Sequence, residues 1–104
     1  MARYDVFRNA APRGGRDTPF LLDVQADLLS SLCTRVVVPL RLASGIPRPA
    51  RTLQPCFTVG GVDVVMDTPA IVGAPVGALG ERVGSLAPDG AVILAAIDLL
   101  LTGA

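Results

Sequence analysis

Lysine, histidine and tryptophan are absent from this 104-residue chain, and its nine basic residues are all arginine. Without imidazole there is no general base poised near neutrality and no histidine metal ligand. Without lysine no Schiff base can form. Aromatic residues are few, three Phe and one Tyr, so the core must be built from aliphatic side chains. Charge of either sign is sparse and balanced, with formal net charge zero, which argues against a general nucleic-acid binder. Two cysteines, Cys33 and Cys56, have no metal-type spacing. Sequence cannot place their α-carbons within the about 7 Å that a disulfide needs, and two buried thiols are the expectation. No stretch approaches the roughly 20 apolar residues of a membrane span, and no apolar signal core opens the chain. A cytoplasmic protein with no cofactor and no metal follows as the expectation.

What the chain does have is apolar surface: half of its residues are hydrophobic. A chain this size forms one domain, spanning 1–104, and buries roughly two thirds of its unfolded surface. The excess of apolar side chains predicts that part of the surface is closed by a second copy, a homodimer.

Along the chain, Tyr4 to Arg8 reads as a first strand, followed by the turn-rich Pro12-Arg13-Gly14-Gly15-Arg16-Asp17. Phe20 to Ala26 reads as a second strand. There Leu22, Val24 and Ala26 alternate with Asp23, Gln25 and Asp27, the period-two pattern of a half-buried strand with solvated acids. Leu28 and Leu29 break the alternation side by side, just before Ser30-Ser31. Two adjacent leucines on an irregular segment cannot both enter one core, so at least one faces a partner. Arg35 to Leu40 is β-branched and apolar, which predicts cover on both faces. Between Leu28 and Val62 lie Arg35, Arg41, Arg48 and Arg51 with no carboxylate. This stretch reads as a solvated basic loop, or alternatively as a docking surface for an acidic segment.

Gln54 to Val59, Gly60-Gly61 and Val62 to Met66 predict a tight hairpin, the glycines supplying positive φ. Ala70-Ile71-Val72 predicts a short edge strand. A terminal helix is expected from about Pro88-Asp89, with Asp98 the only polar residue between Ala91 and Leu101. A helix apolar all round is buried all round, here against the sheet and a second subunit. Gly103 predicts a left-handed end.

Asp23-Val24-Gln25-Ala26-Asp27-Leu28-Leu29, followed by Arg35-Val36-Val37-Val38-Pro39-Leu40, resembles the CcdB toxins of toxin–antitoxin modules. The likeness continues through Leu53-Gln54-Pro55, Gly60, Ala74-Pro75-Val76, Leu79-Gly80-Glu81-Arg82-Val83 and Asp98-Leu99. The resemblance implies a mainly β (α+β) fold, an SH3-like antiparallel barrel with a C-terminal α-helix, assembled as a homodimer. It implies a type II toxin that is not an enzyme. Such a toxin binds the DNA gyrase A subunit, stacks an aromatic residue on a gyrase arginine and traps the cleavage complex. A small CcdA-like antitoxin neutralises it.

The family's gyrase-binding surface is a terminal Trp-Gly-Ile, an asparagine shortly before it, and two adjacent isoleucines. Carried over, these positions are Thr102, Gly103 and Ala104; Asp98; and Leu28 with Leu29. Thr102 has no π face, forgoing an arginine contact worth about 2 kcal/mol when desolvated. Ala104 forgoes another ~1–2 kcal/mol of apolar burial. The departures open a second reading, a non-toxic or retargeted homologue that keeps antitoxin binding. A third is an endoribonuclease on the same barrel, with Arg35 stabilising a phosphate. Asp23 and Asp27 look like paired carboxylates, but solvated polar positions explain them better.

Overall fold

The computed structural model describes residues 2–10 and 17–103. The arginine- and glycine-rich loop around Arg13 and Arg16 and the terminal Ala104 lie outside the described residues.

Among the described residues seven strands form one antiparallel sheet: β1 (Asp5–Asn9), β2 (Phe20–Asp23), β3 (Thr34–Leu42), β4 (Cys56–Val59), β5 (Val62–Met66), β6 (Val72–Pro75) and β7 (Leu79–Ser85). Their order is β4-β5-β3-β2-β1-β7, with β6 also on β3. The long strand β3 organises the sheet because β5 and β6 share its outer edge. Leu40, Arg41 and Leu42 pair with β5, and Thr34 to Val37 pair with β6. The sheet curls into half a barrel, and helix α1 (Gly90–Thr102) closes the chain.

Alternation along β3 divides the interior in two. Val38 and Leu40 join Val6, Leu22, Val64 and Met66 beneath Ile93, Ala96 and Ile97 of α1. On the other face Val37 packs with Leu21 and Ala74, backed by Ala78 and Leu79. Each fully buried Leu, Val or Ile contributes roughly 1.5–3 kcal/mol. The aliphatic bias of the sequence is thus spent on two thin layers.

The hairpin forms as its sequence demands. Gly60 and Gly61 take φ of 56° and 80°, the two positive angles of a primed turn. Helix α1 begins without a side-chain cap after a 3-10 turn at Ala87–Asp89, and ends at Gly103 with φ 75°. The expected cover on both faces of β3 holds from Val37 to Leu40 but not at Val36, which is partly exposed.

Several expectations are corrected. The second strand stops at Asp23, and Asp23 and Gln25 are buried rather than solvated. The half-buried pattern fails because β2 lies centrally between β1 and β3 and is covered on both faces. Asp27 alone of the three polar residues stays exposed. Ala70 belongs to a 3-10 turn at Thr68–Ala70, and the edge strand falls later, at Val72–Pro75. Cys33 and Cys56 are free and exposed, since Cys33 lies just before β3 and Cys56 opens the edge strand β4. On α1, Val92, Leu94 and Leu101 are exposed within this chain, on the helix for which the sequence expects cover from a second subunit as well as from the sheet. Of the four arginines between Leu28 and Val62, only Arg48 and Arg51 are solvated. Arg35 is buried, and Arg41 binds Asp67 at 2.6 Å and the Thr18 hydroxyl at 2.8 Å.

Tyr4 precedes β1 instead of starting it, and its φ of 72° makes it the one non-glycine residue with positive φ among the described residues. That conformation costs roughly 1–2 kcal/mol for an L side chain, so surrounding contacts must hold it.

Candidate protein-binding surface

Two apolar outcrops stand on this frame. The first is a corner after β2, where Asp27–Leu29 makes one 3-10 turn. Leu28 is 92 % exposed and Leu29 46 %, with Leu32 about half exposed just beyond. The corner is held by its own backbone: Leu29 N–H donates to Ala26 O (2.9 Å), and Ser30 N–H to Asp27 O (3.0 Å).

Beneath the corner lies a chain of buried polar groups. Gln25 donates from Nε2 to Leu29 O (2.8 Å), while its Oε1 accepts the Val36 N–H (3.0 Å). The Gln25 N–H donates to Asp23 Oδ1 (3.0 Å). Asp23 Oδ2 in turn accepts from Arg35 Nε (2.9 Å) and Nη2 (2.6 Å). Both members of this ion pair are fully buried, and Arg35 Nη1 finds no acceptor among the described residues. Exposed leucines therefore stand on a braced turn rather than on a loose loop.

Arg35 cannot meet a phosphate in this position, because its guanidinium is inside the sheet and committed to Asp23. Asp23 and Asp27 do not form an acid–base pair. One is sealed with Arg35; the other accepts the Arg3 backbone N–H at 2.6 Å. Among the described residues no group of His, Cys, Asp or Glu is arranged to hold a metal.

The second outcrop is the tip of α1. Asp98 and Thr102 lie one turn apart and exposed, and the Thr102 hydroxyl donates back to Asp98 O (2.7 Å). Spending the hydroxyl on the helix leaves the Thr102 methyl as its outward group. Gly103 N–H donates to Leu99 O (3.0 Å), closing the left-handed end. Leu101 is 70 % exposed beside them. No hydrogen bond or ion pair among the described residues joins the helix tip to the leucine corner. Ala104 lies outside the described residues.

Sequence reasoning missed Leu32, Val36 and Leu101 as exposed apolar residues, and Gln25 as the brace. Leu32 carried a readable signal, an isolated leucine within Ser30-Ser31-Leu32-Cys33. Gln25 carried none, since its partners depend on how β2 and β3 pair. Two open clefts, one beside Asp17, Arg41 and Ser44 and one beside Cys56, Phe57 and Asp63, share no residue with either outcrop.

Two exposed apolar outcrops thus stand on a fold whose buried ion pair is held internally. Residues 3–103 match the sequence model of the family described as CcdB protein, and the chain belongs to the CcdB family. No curated protein matches the chain significantly.

Proposed function

We propose that this chain is the toxin of a type II toxin–antitoxin module, acting in the cytoplasm as a homodimer with an SH3-like barrel in each subunit. In this reading it binds the A subunit of DNA gyrase, traps the cleavage complex, and is neutralised by a CcdA-like antitoxin. The observation that carries the proposal is the leucine corner: Leu28, almost wholly exposed, on a turn braced by Gln25. It occupies the place of the family's adjacent isoleucine pair. Burying one such leucine fully against a partner contributes roughly 1.5–3 kcal/mol. An apolar group so exposed has no stabilising role within the subunit.

Leu28 and Leu29 supply apolar contact in this reading. Asp98 offers a carboxylate to a partner arginine, Thr102 a methyl, and Gly103 a close backbone approach; Ala104 completes the tail. The exposed Leu94 and Val92 of α1 leave apolar area for a second subunit to cover.

The test is calorimetric titration of the purified chain with a gyrase A fragment. Binding at micromolar concentration or tighter, abolished by Leu28→Asp, is expected. No binding at that concentration by either the wild type or Thr102→Trp/Ala104→Ile overturns the gyrase assignment. The second reading, a non-toxic homologue that keeps antitoxin binding, is favoured by Thr102, which cannot stack on an arginine. It is distinguished by that double variant: binding gained only there identifies a lost poison surface, whereas binding by the wild type identifies a working toxin.

A further inference from the structure

The N-terminal turn touches four parts of the molecule that the sequence keeps far apart. Tyr4 N–H donates to Asp23 O (2.6 Å) at the end of β2, and Tyr4 O accepts the Leu86 N–H (2.8 Å) just after β7. Tyr4 makes both bonds with a left-handed φ of 72°. One residue earlier, Arg3 N–H donates to Asp27 Oδ1 (2.6 Å), the first residue of the leucine corner. The Arg3 guanidinium donates through Nε to Val24 O (3.3 Å) and lies 5.0 Å from the centre of the Tyr4 ring. That ring rests on Gly90, the first residue of α1. A Cβ built there would lie 2.9 Å from the ring's Cε2 atom. Asp5 closes the turn, taking the Ala2 N–H (2.9 Å) and pairing with Arg82 of β7 (3.2 Å).

From this we infer that residues 2–5 act as a clamp that fixes the leucine corner relative to the start of α1, with Asp27 and Tyr4 as positioning residues. Among the described residues two side-chain hydrogen bonds tie the corner to the rest of the fold, Gln25 to Leu29 O and Arg3 N–H to Asp27, and the second leads through the N-terminal turn to the start of the helix. The short turn holds the first outcrop at Asp27 and, at Gly90, the opposite end of the helix whose tip carries the second, so the spacing of the two is set through the helix. A partner that must meet both outcrops then encounters them already set, and the ordering cost of binding falls. This last consequence rests on the proposed docking function; the clamp itself does not.

The test is amide hydrogen exchange on the isolated protein, read at Leu29 and Ser30, whose N–H groups close the corner. Asp27→Ala removes the acceptor for Arg3 and should speed exchange there by about tenfold, while Asp27→Asn, which keeps an acceptor, should change it by less than about twofold. Gly90→Ala displaces the Tyr4 ring from the far end of the clamp and should also speed exchange at Leu29 and Ser30. If that variant does not fold, Arg3→Ala, which strips the guanidinium from the ring and from Val24 O, carries the same expectation. Faster exchange confined to α1 and β7, with Leu29 and Ser30 unchanged, overturns the clamp. Coupled exchange in a protein that binds no gyrase A fragment would sink the docking partner and leave the clamp standing.

Discussion

Asp23→Ala removes the carboxylate that Arg35 grips with two hydrogen bonds, at 2.9 and 2.6 Å, in a place where neither side chain reaches water. The guanidinium is left inside the sheet with its positive charge unpaired, and its Nη1 already lacks an acceptor. Removing one partner of a buried pair costs about 3–5 kcal/mol. The whole domain is held by roughly 5–15 kcal/mol, so a substantial share of the margin goes. At about 4–8 °C per kcal/mol, the thermal midpoint should fall by roughly 12–40 °C. The Gln25 N–H also loses its acceptor, so the brace under Leu29 loosens along with the core.

The measurement is chemical or thermal unfolding followed by circular dichroism. Protomer concentration must be held fixed, because any dimerisation makes the midpoint concentration-dependent. The double change Asp23→Leu/Arg35→Met removes both charges and should recover most of the loss, since an apolar pair of similar volume is often as stable as a buried ion pair. Asp23→Ala within about 1 kcal/mol of the wild type would refute the reasoning: the guanidinium would then have found water or another acceptor.

Leu28→Asp should leave unfolding free energy within about 0.5 kcal/mol of the wild type while abolishing partner binding, because the side chain touches solvent rather than core. Ile93→Ala, under the helix and fully buried, should cost about 2–5 kcal/mol in denaturant titration. Gly61→Ala should cost roughly 1–2 kcal/mol by the same assay, because its φ of 80° is unfavourable for any residue with a Cβ. A smaller loss at Gly61 would mean that the turn can rearrange without disturbing the pairing of β4 with β5.

Local chemistry made part of this protein readable. Gly60-Gly61 between two β-branched runs specified the hairpin, since few residues accept two positive φ angles in succession. Gly103 specified the helix end, and the apolar run from Ala91 to Leu101 specified the helix. The adjacent Leu28 and Leu29 identified an exposed corner because two neighbours on an irregular segment cannot both enter one core. The order of residues from Asp23 to Leu40 carried the family.

Other features were invisible for reasons equally physical. β7 passed unnoticed because Gly80 and Gly84 weaken its strand propensity; pairing with β1 supplies what the side chains do not. The edge strand at Val72–Pro75 was misplaced because Gly73 and Pro75 read as turn residues. Its pairing with β3 overrides them.

The fate of Asp23 shows where the boundary falls. The sequence alone determined that an acid sits on a strand and an arginine lies twelve residues later. Only the tertiary structure decided that they meet, because cross-strand register brings β2 against β3, and β6 pairs with the Arg35 segment of β3 only after the chain has folded back. The same holds for the clamp: Arg3 and Asp27 are 24 residues apart, and no local rule links them. Periodicity and glycine placement act over a few residues and can be read from one. Burial of charge and the spacing of two outcrops depend on contacts between distant segments, which only the folded chain supplies.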